Sequence, residues 1–349
     1  MSRYALQQRS LPNDHSSSVQ SNNRTNLSQY AQACVLKGFK PRRELVGTID
    51  SITFYPLKSA RGIEVDAIEC LMSGLKVKDS ELYDRHWVVV DTTNKNQFVT
   101  GRDEATITTV QPSFHGNKLH LDAKDMETLV IPKIAKSSKV IEAKFKLEYV
   151  KGVDCGDKAA DWFCKFFGRP GFRLLFFGKK IEHRRLIDQT DDRWFVTAKP
   201  TDQLAYQNYT AFNLIAKESL HDLNRKLPEG TEKCTMDFFR PNFVVTGCGA
   251  FQEVSPCDYR TQFQDTWKDI FIGNSTFYNL KPRNACLLVI VDPVTGKVRE
   301  DKEPMTTLRT YRLVVPDFKD APAFGVMLVA EKLGTVHVGD KVYATKQTT

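Results

Sequence analysis

From Gly47 onward the chain is built of short segments that alternate in polarity or carry β-branched residues, cut at close intervals by polar turns. A period of two places successive side chains on opposite faces, which suits a half-buried strand and no regular helix. Residues 48–54 set Ile49, Ser51 and Thr53 against Asp50, Ile52 and Phe54. Tyr55-Pro56 stops that run, because proline has no N–H for a ladder. Residues 86–91 and 97–100 flank the polar stretch 92–96 and read as a hairpin. Residues 118–121 and 128–131 repeat the pattern around Asp122-Ala-Lys-Asp125. The expectation for this region is a small, mostly antiparallel sheet or barrel.

Two helices interrupt the strands. Over residues 156–167, Ala159, Ala160, Phe163 and Phe167 share a face, and Gly168 with Pro170 ends the run. A second is predicted over 212–227, closed by Pro228 and Gly230. Residues 287–291 are apolar at every position and predict a strand buried on both faces, followed by the turn 292–296 and a partner strand from Lys297. The class is α+β, mostly β. No internal repeat is visible, and a domain boundary is expected between about residues 170 and 195.

A chain of 349 residues, 41% hydrophobic with 22 Phe and 4 Trp, can fill a real core in one large or two ordinary domains. The formal charge of +8 is unevenly spread: residues 1–45 hold seven Lys or Arg against Asp14 and Glu44, which leaves +3 for the rest. Nucleic acid is therefore not an expected partner. Residues 1–45 read as a disordered, polar, basic tail. Their first thirty, with seven Ser, three Arg (Arg3, Arg9, Arg24) and one acid, also partly fit a mitochondrial transit peptide. The eight cysteines form no C-x-x-C pair and no Cys/His array of the zinc-binding kind, so reduced thiols are expected. No stretch of about 18 uncharged apolar residues is present, and no membrane-spanning helix is expected.

The sequence also lacks the G-x-G-x-x-G, P-loop, H-E-x-x-H, G-x-S-x-G and haem C-x-x-C-H signatures. What remains is a set of basic and hydroxyl residues at strand ends. Lys58-Ser59 follows the Pro56 break, Arg85 precedes a strand, Thr100-Gly101-Arg102 closes the hairpin, and Arg240 and Asn242 flank Pro241. Several guanidinium groups converging on one cleft would suit an anionic organic ligand through forked hydrogen bonds, although a single such charge is more often a paired surface group. Cys286 falls on the same face as Leu288 and Ile290 at the expected end of its strand. A lone thiolate there suits a soft or high-valent metal whose other ligands come from a cofactor, but a buried thiol acting as a small hydrophobe is the commoner fate. The residues alone leave both open.

Tyr55-Pro-Leu-Lys-Ser59 through Gly62, Leu82-Tyr-Asp-Arg85 with Trp87, and Val99-Thr-Gly-Arg102 resemble the N-terminal β-barrel region of MOSC proteins. Asp202-Gln-Leu-Ala205, Phe239-Arg-Pro-Asn242, Asp265-Thr-Trp267 with Ile272-Gly273, Cys286 with Val291-Asp-Pro293, Thr307-Leu-Arg-Thr-Tyr-Arg312 and Val338-Gly-Asp340 resemble the MOSC domain. The resemblance spans residues 46–345 and points to the amidoxime-reducing branch of the family. It implies a β-barrel-like region at 46–180 and a MOSC β-barrel domain with peripheral helices at 181–345. It further implies a molybdenum–molybdopterin cofactor and reduction of small N-hydroxylated compounds, with electrons passed from NADH through cytochrome b5 reductase and cytochrome b5. A family-level association with pyridoxal phosphate comes with it.

By the same resemblance, Lys58, Ser59 and Arg85 would hold the pterin or its phosphate from the first part. Thr210, Arg240, Asn242 and Asn284 would do so from the second, and Cys286 would ligate molybdenum as the catalytic centre. The compartment implied is the mitochondrion, with the cytoplasm as the alternative. The chain also departs from the pattern. Arg283-Asn284-Ala285 stands where a Cys-Ser-Arg-like stretch is usual, so one cofactor-facing arginine is expected to be missing. Tyr209 stands for a small threonine and Met327 for a tyrosine. These departures keep a second function in view, a molybdopterin or sulfur carrier without reductase activity.

Overall fold

The alternating run that follows the basic tail forms the longest strand among the described residues, Glu44–Phe54, eleven residues with Ile49, Ile52 and Phe54 buried. The computed structural model describes residues 42–116, 118–131, 139–146, 148–186, 198–253, 267–314 and 319–346. The expected tail up to residue 41 and the Asp265-Thr266 part of the family-like motif lie outside them. From Arg43 onward the chain forms a single structural unit.

Glu44–Phe54 pairs antiparallel with two distant strands, Phe243–Thr246 on one side and Lys341–Lys346 on the other. The sheet order runs Phe243–Thr246, Phe212–Ala216, Ala323–Lys332, Ser275–Asn284, Trp267–Ile272, Lys341–Lys346, Glu44–Phe54, Ile63–Glu64. Because its first strand also pairs with Glu44–Phe54, seven of the eight strands close on themselves. Phe212, Phe243 and Phe277 fill the inside, with ring centroids 5.2 Å apart for Phe212 and Phe277 and 5.7 Å for Phe243 and Phe277. The strand buried on both faces is Ala323–Lys332, whose first eight residues are all buried.

A second, closed barrel of five strands is built from Val140–Phe145, Glu148–Asp154, Phe172–Phe176, Trp87–Asp91 and Gln97–Phe98. The expected hairpin is there: Val90 faces Phe98 and Asp91 faces Gln97, with a 3-10 turn at Thr92–Asn94 held by the Asp91 carboxylate accepting from Thr93 N–H. The other expected hairpin is the pair Lys118–Asp122 and Leu129–Val130, which Gln111–His115 widens to three strands. The helix Asp157–Phe167 ends at Gly168, whose φ of 69° supplies the left-handed cap that the sequence predicted.

Two expectations are corrected. Residues 212–227 are not one helix: Phe212–Ala216 is a strand between Phe243–Thr246 and Ala323–Lys332, and the helix Lys217–Lys226 starts only after it. Its five-residue segment is buried at four positions, and pairing on both edges overrides helical propensity. The apolar run after Cys286 is likewise no strand but a 3-10 turn, Leu287–Ile290. Val289 N–H bonds to Cys286 O and Val291 N–H to Leu288 O, and Leu287 is 57% exposed. A short apolar run does not reveal its own period. The predicted partner strand from Lys297 shrinks to one bridge between Val291 and Val298, although the 292–296 turn forms.

Candidate functional site

The short segment that leaves the large sheet at Tyr55 runs back along the start of the small barrel. Arg85 N–H bonds to Tyr55 O, Trp87 N–H to Pro56 O, and Lys58 N–H to Trp87 O. This lacing brings Lys58, Ser59 and Arg85 to one place. Three residues around the resulting cavity hold left-handed backbone without being glycine: Ser59 at φ 71°, Arg85 at 52° and Arg240 at 55°. Such positions are disfavoured by about 1–2 kcal/mol each and persist where the surroundings over-determine them, which is characteristic of functional sites.

All eight residues singled out from the sequence, Lys58, Ser59, Arg85, Thr210, Arg240, Asn242, Asn284 and Cys286, line one cavity of about 210 Å³. Six cations border it, Lys58, Arg85, Arg102, Lys146, Arg240 and Arg283, and no Asp or Glu is among the described lining residues. Gly101 lies close against the Leu288 side chain, whose methyl would have to move to admit a Cβ, 2.6 Å away as built.

Lys58 is buried, and its Nζ donates to Tyr206 O and Asn208 Oδ1, both at 2.6 Å. An ammonium has three N–H groups, so one remains for a ligand. Burial, reinforced by Arg184, Arg85, Lys146 and Arg102, pushes the Lys58 pKa well below the usual lysine value. Arg85 rests on buried Asp84, at 2.5 Å, and lies 4.6 Å from the centroid of the Tyr55 ring. Arg240 lies 4.4 Å from the same ring and donates to Ala60 O, and burial brings its pKa down to about 10.

Asn242 has all four side-chain positions engaged. Its amide donates to Thr53 O and Asp84 Oδ1, and its oxygen accepts from Arg85 Nη1 and Asn213 N–H. It borders the cavity as a brace for Arg85 rather than with a free donor. Thr210 turns its hydroxyl to Phe212 O. Tyr209 and Met327 also border the cavity, and Tyr209 lies 3.9 Å from Lys146 Nζ and 4.6 Å from Lys281 Nζ by ring centroid.

Cys286 caps the 3-10 turn, two residues after the strand Ser275–Asn284, with its thiol free and half-buried. Among the described residues no group of three or more His, Cys, Asp or Glu gathers to hold a metal. The arginine expected to be missing beside it leaves Ala285 in its place, and a different arginine borders the cavity. Arg283 lines the cavity, its Nη1 is shut off from solvent, and that atom has no hydrogen-bond partner. Burial lowers the Arg283 pKa, with Cys286 partly opposing the shift. Cationic lining, an unpartnered buried donor and a single accessible thiol together fit an anionic group that brings most of its own metal ligands.

Several contributors were not singled out from the sequence. Tyr55 was read as a strand end and, like Asp84, as part of a family-like motif, neither with a role in the site, and Asn208 and Arg184 were not read at all. Arg184 clamps the 205–207 segment by donating to Ala205 O and Gln207 O while pairing with Glu148. Their roles depend on contacts between segments about 20 to 185 residues apart, which local pattern cannot show.

The family model described as the MOSC N-terminal beta barrel domain matches residues 46–170, and that of the MOSC domain matches residues 201–343. The chain is 35% identical over 316 residues to mitochondrial amidoxime reducing component 2 of Bos taurus, covering 89% of this chain and 87% of that protein. It is 34% identical to component 2 of Homo sapiens, with 86% and 84% covered, and 32% identical to human component 1 over the same shares. Among solved structures, the YuaD protein of Bacillus subtilis matches 88% of this chain and 100% of its own, at 8% identity and a TM-score of 0.35.

Proposed function

The chain belongs to the MOSC-domain family that includes the mitochondrial amidoxime-reducing components, and from that premise we propose that it is a molybdenum-cofactor-dependent oxidoreductase that reduces N-hydroxylated compounds. The observation that carries this reading is the convergence of Lys58, Ser59, Arg85, Thr210, Arg240, Asn284 and Cys286 on one cation-lined cavity without a carboxylate in its described lining. We take residues 46–180 and 181–345 as two parts that contribute to it jointly, the first three residues from one and the other four from the other.

The residues present suit a molybdopterin. Lys58, Arg85 and Arg240 would bind its phosphate and carbonyl oxygens, with Arg85 and Arg240 held in place by Asp84, Asn242 and Tyr55. Cys286 would be the protein's ligand to molybdenum, which when bound supplies two-electron redox chemistry. Ser59 and Asn284 would orient the bound group, and the cationic lining would hold negative charge at the centre without reorganising during turnover. Electrons would come from NADH through cytochrome b5 reductase and cytochrome b5. The names of the relatives and the Ser/Arg-rich first thirty residues support a mitochondrial location over a cytoplasmic one.

The test uses full-length protein from a host that makes the cofactor, beside Cys286→Ala. The wild type is expected to carry molybdenum and to release the fluorescent pterin oxidation product, and the variant to lose the metal. Wild type with neither would end the cofactor reading. The alternative of a carrier is favoured by Ala285 and Met327 at or beside the cavity. NADH-dependent reduction of benzamidoxime with added cytochrome b5 and its reductase decides between them: turnover supports the reductase, and loaded protein without turnover on any N-hydroxylated compound supports the carrier.

A further inference from the structure

The buried or half-buried cations around the cavity are all accounted for except one. Lys58 donates to two acceptors, Arg85 pairs with Asp84, and Arg240 donates to Ala60 O. Arg283 makes no hydrogen bond or ion pair with any described residue, and its Nη1 is shut off from solvent. It occupies the next-to-last position of the strand Ser275–Asn284, three residues before Cys286, and its charge faces Cys286, Tyr55 and the like charge of Arg85.

A buried guanidinium donor without an acceptor is unfavourable, and no carboxylate borders this cavity among the described residues to supply one. An orphaned donor aimed into a cation-lined cavity calls for an acceptor from outside the chain, and a bound anion supplies one. We infer that Arg283 is a ligand-binding residue, donating to an anionic oxygen or sulfur of the group held beside Cys286. This rests on the cofactor reading above and adds to it a residue that the sequence pattern had placed among the departures.

The consequence is a trade-off that a structural arginine would not show. Arg283→Met removes a half-buried charge with an unpartnered donor without orphaning any described partner, so the ligand-free protein should keep its melting midpoint or gain up to about 4 °C. The same change should shorten the half-life of pterin and molybdenum retention during gel filtration and dilution by about 10- to 100-fold. Arg283→Lys, which keeps the charge but not the planar fork, should fall between. Retention per folded protein equal to wild type in the Met variant overturns the inference.

If the wild type carries neither pterin nor molybdenum, the cofactor reading fails separately and inorganic phosphate becomes the probe. Thermal stabilisation by phosphate in the wild type that is lost in Arg283→Met upholds Arg283 as an anion-binding residue. Equal stabilisation of both proteins, or of neither, overturns it.

Discussion

At the scale of single residues the site is a set of cations, several of them held in place by buried neutral or acidic partners. Asp84 shows the arrangement: it is fully buried, receives Tyr55 N–H, and anchors both Arg85 and Asn242. Lys58 has the most testable chemistry. Its lowered pKa means that the ligand-free protein gives up this proton well below the ordinary 10.5, whereas a bound anion favours the charged form. Anion affinity should therefore fall as pH rises from the lowered value towards 10.5, by at most about tenfold per unit. Sulfate, whose charge is constant over this range, is the probe, read by calorimetric titration at stepped pH. Arg240, brought down to about 10, adds to the upper end of the fall. In Lys58→Met the lower part should vanish, and an unchanged profile would assign it to another group. The identities of these cations were legible in the sequence because they stand at strand ends. Their partners were not, since Tyr206 and Asn208 lie 148 and 150 residues from Lys58.

At the scale of elements, local signals were reliable where they were local in origin. The helix Asp157–Phe167 follows from its own spacing and its glycine stop. Gly168 has φ 69° and nothing within 4 Å of a built Cβ, so the only objection to a side chain there is backbone strain. Gly168→Ala should accordingly destabilise the protein by about 1 kcal/mol without altering anion binding, measured as a lower denaturation midpoint at constant slope. A loss several times larger would mean that the cap does more than end a helix. By contrast, Phe212–Ala216 and Leu287–Ile290 were misread because their apolar runs carry no period of their own. One becomes a strand through partners on both edges, the other a 3-10 turn because ladder pairing of the preceding strand stops at Asn284. That second correction matters for function: Cys286 follows a strand and caps a turn instead of opening a buried strand.

At the scale of the molecule, the two barrels meet through residues 84–87, where Arg85 enters the cavity and the next residue but one begins the strand Trp87–Asp91. This meeting was invisible in the sequence, because it depends on Glu44–Phe54 belonging to the large sheet while the residues after it lace onto the small barrel. His86 sits between, buried, with its carbonyl receiving Phe177 N–H and its ring stacked 4.6 Å from Tyr83 and edge-on 5.2 Å from Phe177. Burial is the main reason its pKa falls from 6.5 to about 3, so it stays neutral in the fold. Below pH 6.5 the unfolded chain binds a proton that the folded chain refuses, and stability must fall with pH across the interval down to about 3, by about 1.4 kcal/mol per unit. His183, also lowered by burial, acts in the same direction. Glu253 opposes it, because its raised pKa lets the folded state take up a proton first as pH drops. The depressed carboxylates Asp91, Asp222, Asp292 and Asp301 lose their contribution only near and below their ordinary 3.8. The His86 contribution is thus isolated by comparing wild type with His86→Gln in urea unfolding at stepped pH between 6.5 and 4.5. Lost ring packing shifts the variant by a constant amount, whereas the titration makes the difference between the two proteins change by about 1.4 kcal/mol per pH unit in the variant's favour as the solution is acidified. A difference independent of pH over that window would exclude His86 as the residue that sets the acid limit of the joined barrels.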